Sequence, residues 1–354
     1  MNNIFRLESL VREDIKGMEP YDAYYAPGII RMDANENPYD FPEEIKEYIV
    51  SRMGEQFFGR YPDPLGRELL YGLAGYFKTG TENIMVGNGS DELILNIMLA
   101  FGTGKKIYIA TPTFSMYGIH ARVAGAFPVS ISRGHEFEID AGAMVEMDSR
   151  QPGIIVLCNP NNPTGNADSQ DVIEEVVKSV RSLVVVDEAY IEFGGESCVP
   201  LLEKYPNLII MRTFSKAFGL AGMRVGYLLA HKDIVRELMR IKQPFNVNSF
   251  SQLAANSVLK FRELFEKQIA EIVSDRKLME KRLKEMPGIK LLPSVTNFLC
   301  FSTERKAGDL YRQLMESGLM IRYIKTSDRG EFLRVSVGTK KENSIFVDRL
   351  AAIL

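Results

Sequence analysis

The stretch Ile154-Ile155-Val156-Leu157-Cys158-Asn159-Pro160-Asn161-Asn162-Pro163-Thr164-Gly165 reads as a strand that runs straight into a rigid turn. Five apolar residues without polar alternation suit a strand covered on both faces, and the Asn, Pro and Gly after them stop it sharply. Residues 107–110, 183–186, 208–211 and 225–230 have the same character, and helical patterns separate most of them from about residue 65 to 230. Strands alternating with helices predict an α/β fold with a mostly parallel sheet. Ligands of such sheets sit outside the carboxyl ends of the strands, where the Asn-rich turn lies.

Composition agrees with a large globular protein. The 354 residues are 45% hydrophobic and 25% charged, and 43 Lys and Arg against 46 Asp and Glu leave a net charge of -3. That balance argues against nucleic acid or anionic lipid as a main partner, so any anion is expected to bind locally. The three cysteines, Cys158, Cys198 and Cys300, have no CxxC spacing and read as free thiols of a reducing cytosol. His120, His135 and His231 lack metal-ligand spacing, so no metal is expected. No apolar run approaches the ~18 residues of a membrane span, and residues 1–17 carry too many charges for a signal peptide. A cytoplasmic location is the expectation.

Downstream, residues 262–286 read as one long amphipathic helix. A strand at 295–301, a helix at 306–317, strands at 319–324 and 332–337 and a closing helix from Lys340 then suggest a compact second α/β unit. The first forty residues have too little periodicity to fold alone and are expected to pack against it. The division expected is a large domain at 41–250 and a small discontinuous one from 1–40 and 251–354.

Four motifs carry candidate chemistry. Gly87-Asn88-Gly89-Ser90-Asp91-Glu92 places small residues at a helix start, where backbone N–H groups can cradle a phosphate or Ser90 or Asp91 can simply cap the helix. It is neither GxGxxG nor a Walker loop. The Asn-Pro-Asn-Asn-Pro-Thr-Gly turn is the second. Asp187, ending Val184-Val185-Val186, is the third, either a functional carboxylate or a cap. The fourth is Thr213-Phe214-Ser215-Lys216-Ala217-Phe218-Gly219 with Gly222-Met223-Arg224 after it. A lysine in that setting is either a snorkelling surface residue or an amine made nucleophilic by desolvation and nearby cations.

Together and in this order the four resemble the fold-type I pyridoxal-phosphate-dependent aminotransferases over essentially the whole chain. The resemblance implies a mostly parallel seven-stranded sheet sandwiched by helices, plus a smaller α/β domain. It gives Lys216 the aldimine with pyridoxal 5'-phosphate and then the role of general base. Asp187 would hold the pyridine nitrogen protonated, and Asn162 and Tyr190 would meet the phenolic oxygen. Ser90, Asp91, Thr213, Ser215 and Arg224 would hold the cofactor phosphate, and Phe114 would stack on the ring.

Three further segments resemble the histidinol-phosphate aminotransferase family: Glu19-Pro20-Tyr21 with Asp33-Ala34-Asn35-Glu36-Asn37-Pro38, Arg60-Tyr61-Pro62-Asp63-Pro64, and Ile321-Arg322 with Leu333-Arg334-Val335-Ser336-Val337-Gly338. That family implies substrate contacts from Tyr21, Asn37, Tyr61, Arg322 and Arg334. It also implies a homodimer in which Tyr61 reaches the partner's site, touching cofactor as well as substrate. The implied reaction is amino transfer between L-histidinol phosphate and 2-oxoglutarate, giving imidazole-acetol phosphate and L-glutamate in histidine biosynthesis. Aromatic amino-acid amino transfer and threonine-phosphate decarboxylation are alternatives on the same scaffold.

Overall fold

The computed structural model describes residues 10–20, 28–54, 58–326 and 328–354. Its main sheet has seven strands in the order Ile84–Gly87, Gly226–Ala230, Leu208–Thr213, Leu183–Asp187, Ile154–Cys158, Lys106–Thr111, Phe127–Ser132. All are parallel except Gly226–Ala230, which opposes both neighbours. Helices cover both faces. Ile154, Val156 and Cys158 pack with Leu93, Ile97, Tyr117 and Leu238, whereas Ile155 and Leu157 face Met144, Ile173 and Val176. This two-sided burial is why the central strands read as unbroken apolar runs.

Two strands eluded that reading. Phe127–Ser132 is the outer strand, only Ile131 in it is buried, and Pro128 interrupts its pattern. Ile84–Gly87, at the opposite edge, is too short to announce itself.

A four-stranded antiparallel sheet, in the order Arg322–Lys325, Glu331–Ser336, Phe298–Thr303, Ile289–Leu291, forms from the C-terminal part. Its apolar side, with Leu299, Phe301, Leu333 and Val335, packs with Ile272 and Met279 of helix Arg262–Lys284, Leu310 and Leu314 of Ala307–Glu316, and Phe346 of Lys340–Ile353. The last helix opens with a capping box of Thr339 and Glu342. The expected strand at 295–301 starts late, at Phe298, because the buried Ser294 and Thr296 hydroxyls bond locally, both reaching the Phe298 carbonyl. The expected strand at 319–324 breaks at Ile321. Leu319–Met320 pairs in parallel with Ile30–Arg31 from the N-terminal segment, and only Arg322–Lys325 joins the four-stranded sheet. Among the described residues no helix is long and apolar enough to cross a membrane.

One buried cation ties the strand ends together. Arg133, just past the outer strand, pairs with Asp168 at 3.2 Å and donates to the carbonyls of Phe137 at 2.9 Å and Cys158 at 3.1 Å. Asp168 also receives Ile139 N–H at 2.8 Å, and its backbone exchanges hydrogen bonds with the Asn159 side chain. The clamp therefore pins the Asn-rich turn. Both side chains are almost fully buried, so removing one partner strands the other's charge in the interior. Asp168→Ala is expected to destabilise the protein by about 3–5 kcal/mol, read as a lowered denaturant midpoint, and a loss under about 1 kcal/mol would contradict the clamp.

Candidate active site

Parallel pairing sets Cys158 opposite Asp187 and Asp187 opposite Met211, and Thr213 lies opposite Gly226. The polar residues that follow these strands are thereby collected along one edge. The helix Ser90–Ile97 points its N-terminus at the same edge: its N-cap is Gly89, and no side chain caps it. The capping alternative for Ser90 and Asp91 is therefore not what the fold uses. Gly89 lies at φ 81, and a Cβ there would meet Arg224 Nη2 at 2.6 Å. Gly226 is equally constrained, since a Cβ would stand 2.6 Å from Ser90 N. Bare N–H groups, the helix dipole and a guanidinium converge here, which is what an anion requires.

Arg224 itself sits at φ 54 and donates to Asp91 Oδ2 at 3.1 Å. His120 Nε2 stands 3.9 Å from the other Asp91 oxygen, and His120 and then Arg224 hold that carboxyl below its usual range. Ser215 N–H donates to Thr213 Oγ1 at 3.0 Å, closing the turn after the strand.

Asp187 is buried at its strand end. Tyr117 O–H donates to Oδ2 at 2.7 Å and Ala189 N–H to Oδ1 at 3.0 Å, yet burial pushes the carboxyl up to about 6. Phe114 meets the Tyr117 ring edge-on, with centroids 5.6 Å apart.

Tyr190 and Arg334 join the two sheets. Arg334 donates to Asn162 Oδ1 and to the Asp33 carbonyl, and lies over the Phe298 ring at 5.3 Å. Asn162 Nδ2 then donates to the Tyr190 oxygen at 3.3 Å, and Asn35 Nδ2 donates to the same oxygen at 3.0 Å. Asn35 is held at φ 55 by Ser336, which accepts from its N–H at 2.8 Å and bonds its Oδ1 at 3.2 Å. With Arg334 fixing one amide and Ser336 the other, both lone pairs of the Tyr190 oxygen are occupied. Its own hydrogen is what remains to be given. Burial raises this phenol above its usual range, so it stays protonated.

Lys216 Nζ donates to the Ala34 carbonyl at 2.8 Å. Burial first, then the cations Arg334 and Arg224, lower its amine to about 8, with Glu36 and Asp91 opposing. Asn37 Nδ2 donates to the Ala217 carbonyl at 3.0 Å, next to Lys216. Arg322 is paired in register with Arg334 on the neighbouring strand, so both side chains project from one face. Tyr21 lies outside the described residues, and Tyr61, expected to reach the partner's site, is 82% exposed and stacks on Phe245 at 4.5 Å. Tyr117 and Asn35 were missed as site residues. Asn35 lies within the Asp33-Ala34-Asn35-Glu36-Asn37-Pro38 segment, whereas Tyr117 offers only its position one helical turn beyond Phe114.

The sequence model of the class I and II aminotransferases matches residues 27–350. A histidinol-phosphate aminotransferase of Thermoanaerobacter sp. is 38% identical over 98% of this chain and 99% of its own length. Another, from Carboxydothermus hydrogenoformans, is 40% identical over 97% and 98%. The chain belongs to the histidinol-phosphate aminotransferase family of class I and II aminotransferases. It is thus an aminotransferase of a pyridoxal-phosphate-dependent family. The fold of the histidinol-phosphate aminotransferase of Sinorhizobium meliloti, solved with pyridoxal 5'-phosphate, superposes with a TM-score of 0.88 at 24% identity, covering 98% of this chain and 97% of that one.

In the cofactor-free protein, modification of Lys216 by an amine-selective acylating reagent is expected to rise through a midpoint near pH 8, followed by peptide mass spectrometry. A midpoint at the ordinary lysine value of ~10.4 would show that burial and the arginines do not act on it.

Proposed function

We propose that the protein transfers an amino group from L-histidinol phosphate to 2-oxoglutarate, giving imidazole-acetol phosphate and L-glutamate in histidine biosynthesis. The observation that carries this reading is the pair Arg322 and Arg334, side by side on adjacent strands with Arg334 only 8% exposed and bearing on Lys216. Like charges opposite one another across a ladder destabilise it. A buried arginine whose Nε has no partner among the described residues adds to that cost. A dianionic phosphate ester, bound in the planar, forked manner of guanidinium, offsets both. Histidinol phosphate, the substrate for which these relatives are named, has that group.

The residues fit pyridoxal 5'-phosphate: an uncapped helix N-terminus with Arg224, Thr213 and Ser215 for its phosphate, Asp187 for its ring nitrogen, Phe114 for its ring and Lys216 for its aldehyde. When bound, that cofactor supplies a carbonyl for the amine and a cationic ring that delocalises the electron pair released at the substrate's Cα. Lys216, about half neutral near pH 8 because burial lowers its amine, would be the nucleophile, and its Nζ would afterwards carry the proton from Cα. Asp187, as an anion, holds a proton on the ring nitrogen. Tyr190 gives its free hydrogen to the phenolic oxygen, and Asn162 and Asn35 orient it. Asn37 fixes the backbone next to Lys216 and borders the substrate.

Residues 41–250 act as the cofactor-holding lobe, and 1–40 with 251–354 as the lobe that brings Arg322 and Arg334 to it. The working unit is a homodimer. Tyr61 and the 91% exposed Phe58 offer an aromatic surface for a second copy, through which Tyr61 reaches the partner's site. Tyr21, next to Glu19-Pro20, completes the substrate phosphate contacts.

Glutamate formation from L-histidinol phosphate should exceed that from phenylalanine, and phosphothreonine should release no CO2. Arg334→Met is expected to lower kcat/KM for histidinol phosphate by on the order of 10²–10³-fold. Arg322→Met should act mainly on KM and erase the preference over unphosphorylated histidinol. Faster turnover of phenylalanine or decarboxylation of phosphothreonine would overturn the substrate assignment.

A further inference from the structure

We propose that Tyr117 is a positioning residue for Asp187: its buried phenol donates to Oδ2 and fixes that carboxylate as the anion that holds the ring nitrogen's proton. The proposal rests on the reading of Asp187 given above and adds what keeps Asp187 competent. Tyr117 is 1% exposed, and its oxygen lies 2.7 Å from Oδ2. It sits in the first turn of helix Met116–Val123, so the segment that presents Phe114 to the site also presents the donor to Asp187.

The surroundings of Asp187 otherwise favour its neutral form. Desolvation is the largest influence, and the carboxylates of Asp91 and Glu188 push in the same direction. Glu188 is itself ion-paired to Arg212 at 2.8 Å, and Asp91 to Arg224 at 3.1 Å. Cys158, opposite Asp187 on the next strand, is a buried thiol pushed up to about 11 and brings no positive charge. Against these stand two hydrogen bonds, from Tyr117 and from the Ala189 backbone, with Tyr117 the larger. Burial keeps the Tyr117 phenol protonated, so it can only donate to the carboxylate. Without it a shared proton moves from the ring nitrogen toward Asp187, and the ring loses the positive charge that makes it an electron acceptor.

Tyr117→Phe keeps the ring packing and removes only the donor. Holoenzyme loaded with ¹⁵N-labelled pyridoxal 5'-phosphate reports the ring nitrogen directly by NMR. The expected result is a shift in Y117F toward the unprotonated-pyridine value, the acid limb of kcat moving up by about one pH unit, and KM within about twofold of wild type. Tyr117→His, which retains a donor, should restore at least part of the ¹⁵N shift, and it serves as the probe if Y117F does not fold. A wild-type ¹⁵N shift and acid limb in Y117F would overturn the proposal, as would a Y117H protein no closer to wild type than Y117F. Asp187→Asn separates the two readings. If it leaves the nitrogen shift unchanged, the role of Asp187 fails and this proposal with it; if it moves the shift while Y117F does not, only the role of Tyr117 fails.

Discussion

The Arg334 guanidinium is the interaction on which the arrangement turns. It is buried, it belongs to the four-stranded sheet, and its hydrogen bonds run to Asn162 after the seven-stranded sheet and to the Asp33 carbonyl of the N-terminal segment. Removing such a charge from water costs several kcal/mol, and a protein interior repays that only with well-formed partners. Here two remote stretches of chain supply the partners, and the Phe298 ring, packed edge-on against Tyr190, supplies a floor. The cation therefore sets the distance between the sheets, and through Asn162 it orients Tyr190.

The other half of the site follows from the sheet itself. Strands buried on both faces cannot hold polar side chains along their length, so Asn162, Asp187, Ser215 and Lys216 appear only where strands end. Parallel pairing aligns those ends, and the Arg133–Asp168 clamp stops the Asn-rich turn from drifting relative to its neighbours. The long apolar runs and the site are consequences of one constraint.

That constraint is local in sequence, which explains what could be read there. The strand Ile154–Cys158 is visible from its own residues, as are the turn after it and the small-residue start of helix Ser90–Ile97, though not that this start is uncapped. Tyr117 is different: its neighbours in sequence describe an ordinary amphipathic turn, and its value comes from a carboxylate 70 positions away. Asn35 acquires meaning only through Ser336, 301 positions distant, and Arg133 only through the carbonyls it collects. The late start at Phe298 belongs to the same class, because Ser294 and Thr296 hydroxyls captured the backbone that an apolar pattern had assigned to strand.

The charges around Lys216 work as a set. Two arginines depress its basicity and two acids oppose them, with burial deciding the balance. An anion docked on Arg334 would cancel one depressing cation, and a phosphate on Arg224 would cancel the other. Lys216 must then become more basic as the site fills. On the function proposed above, that order would suit two demands on a single amine: neutral and nucleophilic while the substrate position is open, and a stronger proton acceptor once an anion has seated on Arg334. A surface lysine could meet neither demand, since water would screen both arginines and hold the amine charged throughout. The exchange of roles needs the burial that the two sheets and the N-terminal segment jointly impose.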